Sequence, residues 1–372
     1  MVKKMQVGVI GCGNISSAYF QAAKTFQQME YLYCADLNPE AAKAKAETFG
    51  CKAVGMEEIL NKKEVEIILN LTTPQSHTSI DQMALQAGKH VYAEKPFGVN
   101  LEDGRQVIEL AKKKGLRVGS APDTFLGAGG QTCRKLIDDG WISQPLSGTA
   151  FMMCAGHEAW HPNPGFYYLN GGGPLFDMGP YYLTALVNLL GPVAKVAAMA
   201  GKGQRQRICT SESRFGDFLP VEVNTHLTGT LQFVSGAIIT LIMSFDVIKH
   251  TCPCLELHGT AGSLVCPDPN GFGGPVKYSS FEGRGKEWQE VPLPFGYTEE
   301  SRSIGLADMA DAIQNGRPHR ANGDLAFHVL EIMCGLGTAA ASNKTVAITS
   351  VCERPAPLPM GLLKGQLQHA TG

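Results

Sequence analysis

The chain has 372 residues, 44% of them hydrophobic and 18% charged, with a formal net charge of -2. Its length exceeds one ordinary hydrophobic core and predicts two domains. The near-neutral charge argues against a surface built for nucleic acid or acidic membranes. Eleven scattered cysteines without a Cys-x-x-Cys pair argue against a disulfide frame or a zinc site and predict reduced thiols and no metal.

Strand and helix signals alternate through the first third. Residues 6–10 read as a strand and 14–26 as a helix. Residues 31–35 form a second strand ending at Asp36. Asn38-Pro39-Glu40 caps a helix closed at Gly50, with proline at the first helical position. The apolar run 65–71 suits a strand covered on both faces. Thr72-Thr73-Pro74 breaks it, and a helix over 75–87 follows, closed by Gly88. Val91-Tyr92-Ala93 then runs into Glu94-Lys95-Pro96, where a proline ends the strand because it has no N–H to give. Asn100 caps a helix over 101–114, and 117–120 supplies the last strand. This alternation predicts an α/β fold, a doubly wound parallel (Rossmann) sheet over 1–123. The first five residues lead straight into a strand, leaving no room for a signal peptide. No apolar run reaches the ~18 residues of a membrane span, so the expectation is a cytoplasmic protein without a membrane partner.

From 124 to 350 the pattern predicts an α+β domain with a large, mainly antiparallel open sheet. Its strands read as 149–155, 193–200, 223–233, 237–245 and 255–258, with helices over 179–190, 303–314 and 324–341. Gly127-Ala128-Gly129-Gly130 reads as a domain-joining turn. The run Ile238 to Met243 is apolar on both strand faces, predicting helices on one face and a second subunit on the other, hence a homo-oligomer. Residues 351–372 form a carboxyl-terminal tail, expected to be loose from 358 onward.

Gly11-x-Gly13 follows a strand and opens a helix, the setting in which backbone N–H groups receive a diphosphate. Ser16 stands at the third glycine position. Asp36 lies 23 residues beyond Gly13, where an acid binds a ribose 2′-hydroxyl and repels a 2′-phosphate. The cofactor expected is therefore NAD. Lys95 falls at the carboxyl end of a sheet strand, the ligand edge of such sheets, and an oxidised nicotinamide beside it would lower its pKa. Asp177 and Tyr181 are four apart at the opening of the 179–190 helix, predicting that they share a side. Trp160, His161 and Asn163 sit in a proline-stiffened loop that suits a carbohydrate ring. His157 and His161 have metal-ligand spacing, but Pro162 and Pro164 oppose a helix there. His77 fits either the nicotinamide edge or a helix face, and His328 a satisfied core position.

Gly8 to Ile15, Thr73-Pro74 with His77, Glu94-Lys95-Pro96, Asp177 to Tyr181 and the turn Gly259 to Leu264 together resemble the Gfo/Idh/MocA oxidoreductases, the glucose–fructose oxidoreductase and inositol dehydrogenase group. The resemblance implies that Lys95 is the catalytic lysine and that Asp177 and Tyr181 occupy the second catalytic motif. It implies a cofactor set of Gly11, Gly13, Asn14, Ile15, Asp36, Thr73, Pro74, His77, Glu94 and Lys95. Many members carry histidine where this chain has Tyr181; the tyrosine form resembles the glucose–fructose oxidoreductase branch. Ala121-Pro122-Asp123-Thr124-Phe125 departs from the family pattern, making Asp123 and Thr124 candidate substrate contacts beside Trp160, His161, Asn163 and Arg302. The activity expected is an NAD-dependent dehydrogenase of a sugar, glycoside or cyclic polyol, acting on a secondary ring hydroxyl and, for a glycoside, at C3. A glycosidase working through transient C3 oxidation and a non-catalytic NAD-binding regulator are the alternatives.

Overall fold

The computed structural model describes residues 4–282 and 287–369. The first three residues, on which the expectation about a leader rests, and the last three of the tail lie outside that range. Among the described residues six parallel strands form the first sheet: β1 (Met5–Ile10), β2 (Met29–Ala35), β3 (Lys52–Ala53), β4 (Ile67–Asn70), β5 (His90–Ala93) and β6 (Val118–Ser120). Their spatial order is β3-β2-β1-β4-β5-β6. The winding reverses between β1 and β4, which opens a crevice at the carboxyl ends of those strands. Every residue of β4 is buried: three are apolar, and Asn70 donates to the His77 carbonyl and Asp81.

Local signals place the helices of this half. The Asn38 side chain accepts from the Glu40 N–H, and left-handed Gly50 ends Pro39–Phe49. Asn100 likewise accepts from Asp103 N–H, and left-handed Gly115 ends Leu101–Lys114. The first helix is shorter than expected, Ser16–Ala23. Gly13 to Ile15 still belong to the turn, because the Gly13 carbonyl accepts from the Ser16 N–H.

Nine strands make the second sheet among the described residues. From one edge they are Gln289–Val291, Val276–Ser280, Gly262–Cys266, Leu255–Gly259, Pro145–Met153, Ile238–Ser244, His226–Phe233, Val193–Gly201 and Val346–Ala347. All neighbours are antiparallel except Ile238–Ser244 with Pro145–Met153. The strands unforeseen from sequence are short ones at the two ends of this order, with at most two buried apolar residues in any of them, such as Leu264 and Val276. Gly127 to Gly130 does not form a joining turn. It opens the helix Ala128–Asp138, whose glycines lower its propensity and whose buried first turn compensates.

Helix Gly323–Ser342 has the length and mean hydropathy of a membrane span, yet it packs against the strand Val193–Gly201 and helix Leu101–Lys114. His328 on it accepts from the Val193 N–H at 3.0 Å, and Glu331 accepts from Thr349 and Ser350. A core helix buried on two sides needs this composition. Along Ile238–Ser244 burial alternates: Ile239, Leu241 and Met243 are buried, whereas Ile238 is 48% exposed and Thr240 lies open. One sheet face is therefore covered by the chain's own helices, and among the described residues Ile238 and Thr240 on the other lie open.

The tail is not loose. Leu358, Leu362 and Leu367 are buried. The Leu358 N–H donates to Gln131 Oε1 at 2.7 Å, and Tyr297 donates to the Gln366 carbonyl at 2.6 Å. Its Pro and Gly content shapes a packed strap instead of a solvated end. Leu367→Ala should then cost about 2–4 kcal/mol in urea unfolding, as for other fully buried leucines; a free tail would show no change.

Candidate active site

The glycine loop forms where β1 ends. Gly11 has φ 104°, and a Cβ built there would lie 2.4 Å from the Leu71 carbonyl oxygen. Only glycine fits between the ends of β1 and β4. Asp36, at the end of β2, accepts from the Cys12 N–H at 2.7 Å and the Asn38 N–H at 2.8 Å. Its carboxylate thus closes the loop and stays half-exposed. A Cβ on Gly13 would meet nothing within 4 Å, so open space lies before the loop. Helix Ser16–Ala23 starts beside it without a side-chain cap, leaving N–H groups for an anion. Buried Ser16 donates to the Gly13 carbonyl at 2.7 Å, which explains a small polar residue at the third position. These features fit a dinucleotide: Gly11, Gly13, Asn14 and Ile15 would hold the diphosphate and Asp36 the ribose.

At the next strand ends Thr73 is exposed and heads the short turn Pro74–Ser76. Gln75 donates across to the Asn170 carbonyl at 2.8 Å, tying this loop to the second domain's glycine run. His77 differs from the expectation of a ring at the cofactor edge. It is buried, with Nδ1 2.7 Å from the Pro96 carbonyl and Nε2 3.0 Å from the Thr72 carbonyl. It clamps two loops together. Glu94 is also inward: its oxygens accept from the Tyr19 hydroxyl and the Lys95 N–H, each at 2.8 Å. Glu94 therefore holds the backbone that presents Lys95.

Lys95 crosses the crevice. Its Nζ lies 2.7 Å from Asp177 Oδ1, 2.8 Å from the Asp177 carbonyl and 5.2 Å from the Tyr181 ring centroid. Burial disfavours the ammonium, but Asp177, Tyr181 and Glu94 outweigh it, so the amine is held above its ordinary value. The protein alone does not lower this pKa. Burial would also raise the Asp177 carboxyl, yet Lys95 and His157 bring it down to about 2. Asp177 and Tyr181 do not share one helix as expected. Asp177 ends Gly173–Asp177, Met178 breaks the path, and Tyr181 lies in Gly179–Leu190. Both side chains nevertheless meet at Lys95. Burial pushes the Tyr181 phenol up, while Lys95 and Arg302 work against the rise.

Arg302, expected as a substrate contact, lies beside that phenol; its guanidinium also pairs with Glu300 and reaches Asn270 Oδ1 at 3.1 Å. Trp160 is 61% exposed and stands edge-on to His157 and His161, a free apolar face at the rim. His161 Nδ1 accepts from the Asn163 N–H at 3.0 Å, while the Asn163 side-chain oxygen is taken by Arg214 at 2.8 Å. Asp123 and Thr124, expected as substrate contacts, are both buried. Asp123 accepts the Gly305 N–H at 2.9 Å at the head of Ile304–Gln314, and burial raises its carboxyl to about 6. It anchors a helix instead of a substrate.

His157 was missed. Its Nε2 lies 3.1 Å from Asp177 Oδ2, and its ring packs on Tyr167 at 4.4 Å. The signal present was the His157/His161 spacing, which points to metal and not to a carboxylate 20 residues on.

The family model described as oxidoreductase family, NAD-binding Rossmann fold, matches residues 5–121, and the GFO/IDH/MocA C-terminal domain model matches 131–265. A dTDP-3,4-didehydro-2,6-dideoxy-alpha-D-glucose 3-reductase of Streptomyces violaceoruber is 31% identical over 52% of this chain and 57% of its own length. The match thus spans little more than half of that relative. D-glucoside 3-dehydrogenase of Escherichia coli K12 is 27% identical over 65% of this chain and 70% of its own. Among solved structures, levoglucosan dehydrogenase in complex with NADH and L-sorbose has a TM-score of 0.81 at 20% identity, covering 94% of this chain and all of that one (100%). That likeness shows the fold.

The low Asp177 carboxyl implies a pH dependence with a definite sign. A depressed acid contributes its stability above its unfolded value and loses it as pH falls through its folded value, here about 2. Urea unfolding of wild type and Asp177→Asn should therefore show a gap that shrinks by on the order of 2 kcal/mol from pH ~5 to ~2. A constant gap would mean the pairing does not persist in solution.

Proposed function

Because the chain belongs to the Gfo/Idh/MocA family of NAD-binding oxidoreductases, we propose that it is a dehydrogenase of a sugar, glycoside or cyclic polyol. It oxidises a secondary ring hydroxyl, at C3 when the substrate is a glycoside. The convergence of Lys95 with Asp177 and Tyr181 at the mouth of the glycine-loop crevice carries this reading. The choice of carbon draws support from two relatives whose names specify position 3.

Bound NAD supplies the acceptor for the hydride leaving the ring carbon, with Thr73 and Pro74 at the rim of its site. The chain's residues handle the proton. In the reducing direction Lys95, an ammonium beside Asp177, is the acid as it stands. In the oxidising direction it must first lose a proton, after which its amine, or the Tyr181 oxygen, accepts one from the substrate hydroxyl. Asp177 fixes the lysine in place, and Arg302 steadies the phenol. Trp160 offers the sugar ring an apolar face, flanked by His161 and the remaining amide group of Asn163. A regulator that only bound NAD would have no use for this buried cluster. The glycosidase variant uses the same groups, and aglycone release without net NADH would identify it.

Two features extend the proposal. The open face of the second sheet, with Ile238 and Met199 exposed, supports a second copy of the chain as its cover. The free cysteines support a reducing compartment, the cytoplasm.

The deciding experiment follows NADH absorbance with pyranosides and inositols side by side. Lys95→Ala should lower turnover on the best substrate by on the order of 10²–10⁴-fold while NAD binding persists. Unchanged turnover in that variant would sink the mechanism.

A further inference from the structure

We propose that His157 is the proton exit of the site, exchanging the proton of the Lys95–Asp177 pair with solvent. The inference rests on the dehydrogenase reading above and extends it to a residue that reading does not use.

Asp177 stands between two nitrogen groups. Oδ1 faces Lys95 Nζ at 2.7 Å and Oδ2 faces His157 Nε2 at 3.1 Å. A carboxylate bridging an amine and an imidazole forms a continuous path of hydrogen bonds. The path stays largely covered along its length and ends beside exposed chain, Ala155, Ala159 and Trp160. Lys95, Asp177 and His157 side chains are 17%, 11% and 11% exposed, while Trp160, edge-on to the His157 ring at 5.2 Å, lies largely in solvent. Among the described residues His157 Nδ1 has no hydrogen-bond partner and is not one of the sealed, unpaired buried atoms. The ring is held by Tyr167 and by Phe245, at 4.4 and 4.7 Å. The ionisable groups around it are Asp177, His161 and Tyr167, with Lys95 beyond Asp177. Its chain neighbour Glu158 is paired with Arg207 and Tyr168, so Asp177 is the carboxylate left for the ring.

A sugar lying on Lys95 would screen that amine from bulk water, and Tyr181 is buried with its phenol pushed up. A proton delivered to Lys95 then needs another route. In the oxidising direction the substrate O–H proton moves to the Lys95 amine as its C–H bond breaks. The ammonium passes one proton to Asp177 Oδ1; the transient acid turns that same proton to Oδ2 and hands it to Nε2 of an imidazole that carries its hydrogen on Nδ1. The imidazolium loses the Nδ1 hydrogen to water, and a turn of the ring brings a bare nitrogen back to Asp177. One proton enters and one leaves; reduction runs the same steps backward.

Three measurements on the full chain test this. In cofactor-free protein labelled with nitrogen-15 histidine, the His157 titration midpoint should move when Lys95 is replaced by Met. An unmoved midpoint would show no coupling and overturn the proposal even if no carbohydrate were oxidised. With the best substrate, His157→Ala should lower kcat by about 10–100-fold, and added free imidazole should restore it in a concentration-dependent way. His157→Asn, which keeps a donor for Asp177 but cannot relay, should stay slow. Full activity in the asparagine variant, or no rescue of the alanine variant, reduces His157 to a prop and overturns the inference. Failure of wild type to form NADH with any substrate would instead defeat the dehydrogenase reading, leaving the titration to decide this one.

Discussion

A partly buried lysine and a partly buried aspartate from opposite sides of one crevice hold the site together. Removing either charge from water costs several kcal/mol unless attraction and further hydrogen bonds offset it. Both conditions are met: Lys95 donates to the Asp177 carboxylate and carbonyl, and Asp177 keeps His157 on its other oxygen. The pair exists only when the end of β5 and the Gly173–Asp177 turn face each other. The Gln75 bond to the Asn170 carbonyl reinforces that alignment. The facing of these two segments and the geometry of the proposed site thus share one interaction.

The same pair sets the chemistry's direction. Asp177 favours the ammonium, which suits an acid and opposes a base. Whatever displaces water from Lys95 without adding negative charge weakens that preference, so the amine's readiness to accept a proton depends on what covers it. A carboxylate held low, at about 2, stays ionised through any physiological range. Asp177 therefore rests as a counter-charge bridging the two nitrogen groups and carries a proton only in passing.

Features encoded within a few residues were legible in the sequence. The Gly11 turn, Asp36 at the end of β2, the Asn38 and Asn100 caps and the strand that delivers Lys95 each depend on local chain geometry. Features needing distant approach were not. His157 reaches Asp177 through an irregular loop with no period to read. Asp123 looked like a pocket acid because its burial against Gly305 depends on a helix 182 residues away. His77 and Glu94 stand at the right strand ends, yet their partners turn them inward. Short polar edge strands escaped notice because only a neighbour's backbone defines them, and the tail escaped because its apolar residues are widely spaced.

Arg302 shows how such a distant residue is fixed. The next residue, Ser303, has φ 89° without being glycine, a conformation that costs on the order of 1–3 kcal/mol and persists only where its surroundings determine it. Ser303 is fully buried, its hydroxyl donating to the Tyr19 carbonyl at 3.1 Å and lying 3.1 Å from the Tyr31 hydroxyl. Tyr19 in turn donates to Glu94, the residue that positions Lys95. The strained turn that carries Arg302 to the Tyr181 phenol is therefore anchored on the same scaffold as the lysine. Both cations around that phenol are thus tied to one hydrogen-bonded frame through Ser303, Tyr19 and Glu94.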